Sequence, residues 1–352
     1  MPLIADENTY NTIGSHILEG KYYYKNYPST VTPIIPFILA FLKTSTTPLI
    51  GLTLHKLIHL LFAILGFRYL YLFLTQLRLK TKLVLAIIAI TAVNPIGITF
   101  FARLYPEGIL MFTFWGFIYY STTSVKKKHF IKMLLFFVML ILTRYVYAIL
   151  GLIILYNCFR YYKASSYATI YSLLKYSILI SLPVLLWLKY VQNIEKNNLS
   201  EISYFSRFEA ENPLLYNIKA GLGIIKHEEV NKINGIPAFA SLFIPIDGYR
   251  NYLLSIGFII LFLAGYLTKP LKFGEQILLS AIILTMLGLI IAGTGFSRYW
   301  LILLAGFVLG IYYFLERLSI RESWILNAMY VISIIYIINE FRLDYLILNR
   351  YI

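Results

Sequence analysis

Runs of roughly twenty residues with few or no charges recur along this chain, separated by short clusters of lysine and arginine. They lie at 54–77, 83–102, 107–124, 169–190, 251–268, 276–293, 299–315 and 323–340. At 1.5 Å per residue, a helix of about twenty residues crosses roughly 30 Å of hydrocarbon. In lipid the backbone must satisfy its own hydrogen bonds, which a helix does within one segment. The expectation is therefore an all-α, polytopic transmembrane bundle.

The stretch 131–160 is either one long helix with Arg144 at its centre or two short spans turning at Arg144. Loop charge decides. With two short spans, Arg78, Lys80 and Lys82, then Lys126–Lys128, Arg160 and Lys163, Lys269 and Lys272, and Arg317 and Arg321 all face one side. The positive-inside rule makes that side the cytoplasm. One long span would send the last three clusters outward. About ten spans are thus expected, with Arg103, Arg144 and Arg298 in outward turns. The chain divides into a first extracytoplasmic segment (1–47), spans one to six (48–190), a large outer loop (191–250) and spans seven to ten with a short tail (251–352).

Composition closes off other classes. With 59% hydrophobic and only 13% charged residues, a water-soluble fold of this length is excluded. The net charge of +15 is spread over loops rather than gathered on one solvated face, so nucleic acid is not an expected partner. A single cysteine, Cys158, rules out an intrachain disulfide and a thiolate metal cluster. Met1–Tyr10 has neither a basic start nor an apolar core, so no cleavable signal peptide is read there. P-loop, dinucleotide, nucleophile-elbow and HExxH motifs are lacking.

In the outer segments, Thr9–Leu18 and Ile34–Leu42 are expected as short interfacial helices. The loop 191–250, with Glu195, Glu201, Glu209, Glu211, Glu228 and Glu229, is expected to fold as a cap, and Asn198-Leu199-Ser200 is an acceptor triplet for glycosylation. His55 and His59 share a helix face, yet a third metal ligand is not identified and packing is the expected role. Lys56 sits toward the outer boundary of its span, whereas Arg68 requires an interior partner or lines a pathway.

Several outward residues admit two readings. Asp6 caps a helix starting near Asn8, or Asp6 and Glu7 supply a general base in a membrane-facing cleft. Glu107 follows Pro106 and complements a helix dipole, or lines the same cleft. Arg298 snorkels to the interface, or binds a lipid phosphate through its planar fork.

The first outer segment resembles that of the GT-C glycosyltransferases, in the branch of protein O-mannosyltransferases and aminoarabinose transferases. The residues that carry the likeness are Asp6, Glu7, Tyr10, Gly14, Ile17, Leu18, Gly20, Tyr22, Pro33 and Pro36, an acidic pair followed by DE-x-x-Y, I-L-x-G and Pro-x-x-P elements. NPIGITFFARLYPEGILMF, LILTRYVYAILGL and GFSRYWLILLAGF look similar in the same order. The resemblance implies transfer of a sugar from a polyprenyl-phosphate donor to a hydroxyl acceptor, with inversion, in an outward cavity. Carried over, Asp6 is the base, Glu7 and Glu107 line the site, and Arg298, Arg103, Arg144 and Tyr299 bind the donor phosphate, with a divalent metal ion as a further candidate. Membrane lipids surround the protein and the acceptor is left open, as is the choice between plasma membrane and endoplasmic reticulum. Family members carry a spanning helix before the acidic pair, where this sequence has five residues, so the expectation is a translocated tail or an upstream helix outside the given sequence. The rival readings are a transporter or lipid flippase, which Lys56 and Arg68 suit, and a non-catalytic relative.

Overall fold

The computed structural model describes residues 6–22, 31–101, 103–123, 127–164, 167–197, 212–226, 231–244, 249–268 and 270–351. Lys126, Lys269, the 198–200 triplet, Glu201, Glu209, Glu211, Glu228 and Glu229 lie outside the described residues. Among the described residues every regular element is a helix. The N-terminal segment forms α1 (Asp6–Leu18) and α2 (Ile34–Ser45), and the bundle begins with α3 (Pro48–Gln76). There follow α4 (Thr81–Ala92), α5 (Pro95–Phe101), α6 (Glu107–Thr122), α7 (Lys127–Thr143), a 3-10 turn at Tyr145–Leu150 leading into α8 (Gly151–Ala164), and α9 (Tyr167–Asn197). Then come α10 (Pro213–Leu222), a 3-10 segment Ile236–Leu242, α11 (Tyr252–Leu267), α12 (Phe273–Ile291), the short α13 (Ser297–Trp300), α14 (Leu304–Arg317) and α15 (Glu322–Tyr351).

By length and composition four of these can cross a membrane: Leu49–Gln76, Phe273–Ile291, Ser297–Arg317 and Glu322–Leu346. The pair α4 and α5 makes a fifth if its two parts are one span. The outer faces carry unpartnered apolar side chains such as Leu57, Leu61 and Ile64 on α3 and Ile334, Ile338 and Phe341 on α15. An apolar surface of that extent is covered by lipid or protein, not water, and marks a membrane-embedded protein.

Two breaks shape the site. The run 83–102, expected as one straight span, bends by 64° between α4 and α5. Pro95 has no N–H to continue the helix, and Asn94 caps the new start, accepting from Ile96 N–H at 3.1 Å while donating to the Leu242 carbonyl at 2.9 Å. The second break is Arg144, whose backbone is extended (φ −158°, ψ 125°) between α7 and the following turn. Thr32 Oγ1 donates to the Thr143 carbonyl at 2.6 Å, satisfying one acceptor that the interrupted helix leaves open.

The core is built on α3 against α6 and α11 against α14, with α7 on α6. Close approach of α3 and α6 depends on glycine: a Cβ at Gly66 would stand 2.6 Å from the Met111 carbonyl carbon, and one at Gly108 would collide with the His59 carbonyl oxygen. Within 191–250, the 3-10 segment Ile236–Leu242 is packed into the bundle. Ala238, Phe239, Ala240 and Leu242 are fully buried, with the Phe239 ring edge-on to Phe307 (4.6 Å) and Trp300 (5.8 Å). The apolar residues of this 3-10 segment fill the bundle instead of covering it. Arg68 stands on the exposed face of α3, not in the interior.

Candidate active site

Four charged residues from four distant segments meet where α1, α6 and α13 begin and α7 ends. Glu107 opens α6 and is fully buried. The positive end of the helix dipole favours a carboxylate there, but burial of the charge requires partners as well. Arg144 Nη2 donates to Glu107 Oε1 at 2.9 Å, and Arg298 Nε lies 3.7 Å from the same oxygen. Arg298 Nη2 in turn donates to Asp6 Oδ2 at 2.6 Å, across 292 residues of sequence. Two carboxylates face two guanidiniums, so the set is neutral.

Rings hold the guanidiniums in place. Arg144 stacks 3.8 Å over Tyr299, and Arg298 sits 4.3 Å from the Tyr105 ring centre and 5.5 Å from that of Phe100. Stacking on a ring face stabilises a cation while leaving the in-plane N–H groups free to point elsewhere. Arg103 approaches the same Phe100 ring at 5.8 Å and, among the described residues, makes no ion pair. It therefore stands at the rim of the cluster, whereas Arg144 and Arg298 are inside it.

The carboxylates differ in access. The Asp6 side chain is 45% exposed and that of Glu107 is 0% exposed, so only Asp6 can meet a molecule arriving from outside. Asp6 lies within α1 instead of capping a later start, and a helical spacing of four places Tyr10 on its face. Burial pushes the Tyr10 phenol well above its ordinary range, against the pull of Arg144 and Arg298. Tyr105 is also raised by burial, opposed by Arg298. Both phenols are neutral hydrogen-bonding groups at the cluster. Glu7 turns inward, 2% exposed, and accepts from the Leu104 N–H at 3.0 Å. Its visible role is to tie α1 to the turn that carries Arg103 and Tyr105.

Three features here were not assigned a role from the sequence. Arg250 Nη1 donates to Ser297 Oγ at 3.4 Å, next to Arg298. Phe100 and Tyr105 supply the ring surfaces just described. An open groove of about 490 Å³, which none of the four charged residues lines, is bounded by Tyr22, Phe37, Trp187 and Tyr190, with Lys21 among its lining. Trp187 Nε1 donates to Tyr145 Oη at 2.6 Å, so the groove wall is joined to the residue after Arg144. Of the groove lining, Ile17, Gly20 and Tyr22 belong to the segment that carries the family resemblance, while Arg250 had no sequence signal.

Among the described residues no three His, Cys, Asp or Glu side chains are placed to share a metal ion. Asp6 and Glu107 are the two carboxylates at hand, and both already face guanidinium charge, so the donor set for a divalent cation is not assembled. Comparison of the chain with family models, curated proteins and solved structures gives no match.

Proposed function

We propose that this protein is a membrane glycosyltransferase of GT-C type, with ten helical spans, that moves a sugar from a polyprenyl-phosphate donor to a hydroxyl acceptor on the extracytoplasmic side. The observation that carries the proposal is the partition of the cluster into one accessible carboxylate, Asp6, and two ring-supported arginines, with an apolar groove joined to the Arg144 turn through the Trp187–Tyr145 hydrogen bond. A base, an anion site and a hydrocarbon surface are what this reaction needs in one place.

In the proposed step the donor phosphate, an anion at the membrane surface, takes the Arg298 guanidinium now held by Asp6. A planar fork suits phosphate oxygens better than a single carboxylate oxygen. The displaced Asp6 carboxylate then accepts the proton of the acceptor hydroxyl. The acceptor oxygen forms a bond to the anomeric carbon as the bond from that carbon to the phosphate oxygen breaks. The electron pair leaves with the phosphate, whose charge Arg298 and Arg144 stabilise. Glu107 keeps both guanidiniums aimed, Tyr299 supports Arg144 from below, and Arg103 guides the anion at the rim. The isoprenoid chain lies against Tyr22, Phe37, Trp187 and Tyr190.

The test is to supply membranes containing the protein with a panel of labelled polyprenyl-phosphate sugars and to follow release of polyprenyl phosphate. Release with one donor, lost in Asp6→Asn, is the expected result. Binding of donors without release would leave a non-catalytic relative, and movement of intact donor across the membrane would make it a flippase.

A further inference from the structure

At the end of the bundle away from Asp6, where basic residues gather, the last turns of α8 meet the start of α12. Arg160 closes the apolar run Tyr145–Arg160 and lays its guanidinium over the Phe273 ring, 3.6 Å from its centre. Tyr156, one turn earlier, stacks on the same ring at 6.4 Å. An arginine at the end of a span ordinarily extends its head into water. Here the head is folded flat against a ring, and among the described residues it makes no ion pair. The acidic residue in the first turn of α12, Glu275, is sealed from solvent. It already accepts from the Lys272 N–H at 2.8 Å and from the Tyr313 hydroxyl at 2.5 Å. Stacking fixes the plane of the guanidinium and leaves its N–H groups directed sideways as a fork.

We infer that Arg160 and Phe273 form a headgroup site for an anionic phospholipid. The guanidinium fork matches two oxygens of one phosphate. Phe273 opens a helix long and apolar enough to cross a membrane, so the stack stands at the boundary of that span, where lipid phosphates lie. Hydrocarbon continues from it along both helices. Leu152, Tyr156 and Phe159 recur at i, i+4 and i+7 on α8 and are exposed, as are Ile283 and Leu287 on α12. Free inorganic phosphate would meet the same fork without that apolar surface.

Charge selects the lipid. Lys272 directly precedes the ring, is exposed, and its Nζ meets the Leu77 carbonyl at only 3.4 Å, so a second negative charge on the headgroup finds a second cation. Glu275 is taken, and so offers the cationic part of a zwitterionic headgroup no partner. A bound lipid would clasp α8 to α12 at the membrane boundary. The inference does not rest on the proposed sugar transfer, since it concerns the opposite end of the bundle.

The full chain, purified in detergent and stripped of lipid, is titrated with phosphatidylglycerol or phosphatidylcholine and followed by native mass spectrometry. Phosphatidylglycerol is expected to fill one tight site, with phosphatidylcholine about tenfold weaker. Arg160→Met keeps a side chain packed on Phe273 and should weaken the tight site by about tenfold. Arg160→Lys, which keeps the charge and loses the fork, should fall between. Lys82→Ala, which removes an exposed cation at the same end, should bind like the native chain. Equal affinity for the two lipids would overturn the site, as would equal binding of phosphatidylglycerol by the native chain and Arg160→Met. A loss in Lys82→Ala as large as that in Arg160→Met would replace the site with a diffuse basic field. Displacement of the bound lipid by inorganic phosphate would overturn the lipid assignment.

Discussion

The two ends of the bundle carry the same kinds of charged group and use them in opposite ways. At the basic end, Lys80 pairs with Glu322 in the open, with side chains 74% and 30% exposed. Nearby, Lys272 Nζ donates to the Leu77 carbonyl at 3.4 Å and Arg317 Nη1 to the Thr268 carbonyl at 2.8 Å. Each cation there meets a helix end or water. At the other end Glu107 is sealed off, and Arg144 and Arg298 are only 15% and 11% exposed. An exposed pair contributes little and is screened by salt, whereas a buried pair becomes a liability once one member is removed. Charge kept in a dry place is held there at a cost in stability, which a binding or catalytic role offsets.

The largest effect should come from breaking that buried pair. Arg144→Met leaves the Glu107 carboxylate buried without its closest partner and should destabilise the purified protein by about 3–5 kcal/mol, measured by denaturant unfolding in detergent micelles. Adding Glu107→Gln to it should restore part of the loss, and a double variant no more stable than Arg144→Met would show that the pair is not coupled. Next, Gly108→Ala pushes a methyl against the His59 carbonyl and should cost about 1–3 kcal/mol by overpacking. A neutral result would mean that α3 and α6 do not approach as closely as described.

Smaller still, Tyr299→Leu removes the ring under Arg144 and should cost on the order of 1 kcal/mol. It should also weaken donor binding more than turnover, since the guanidinium charge remains. At the basic end, Lys80→Ala should leave the melting temperature unchanged within error at ordinary salt. A clear drop would erase the contrast between the ends.

The sequence made the break at Arg144 legible because a charge inside an apolar run, together with the sign of the flanking loops, admits one consistent arrangement. The loop-charge argument assigned Asp6, Glu107, Arg144 and Arg298 to one face, and the structure brings their side chains together. Their pairing was not legible: contacts such as Asp6 with Arg298 depend on how the helices pack. The bend at Asn94-Pro95 went unread although an Asn-Pro step announces a boundary, because a hydropathy run registers apolarity and not backbone hydrogen bonding. The burial of Phe239 inside 191–250 was hidden by the charges around it. Glu7 looked equivalent to Asp6 in the sequence, and only the register of α1 separates an inward carboxylate from an outward one.

The most direct measurement is turnover at saturating donor by native protein and Asp6→Asn, with melting temperature recorded for both. Asn keeps a side-chain oxygen facing Arg298, and Glu107 remains 3.7 Å from that guanidinium, so Asp6→Asn should leave the fold intact, while removal of a general base should slow turnover by roughly 10²–10⁴-fold with donor still bound. An Asp6→Asn protein that turns over at the native rate would contradict the assignment of this cluster as the catalytic centre.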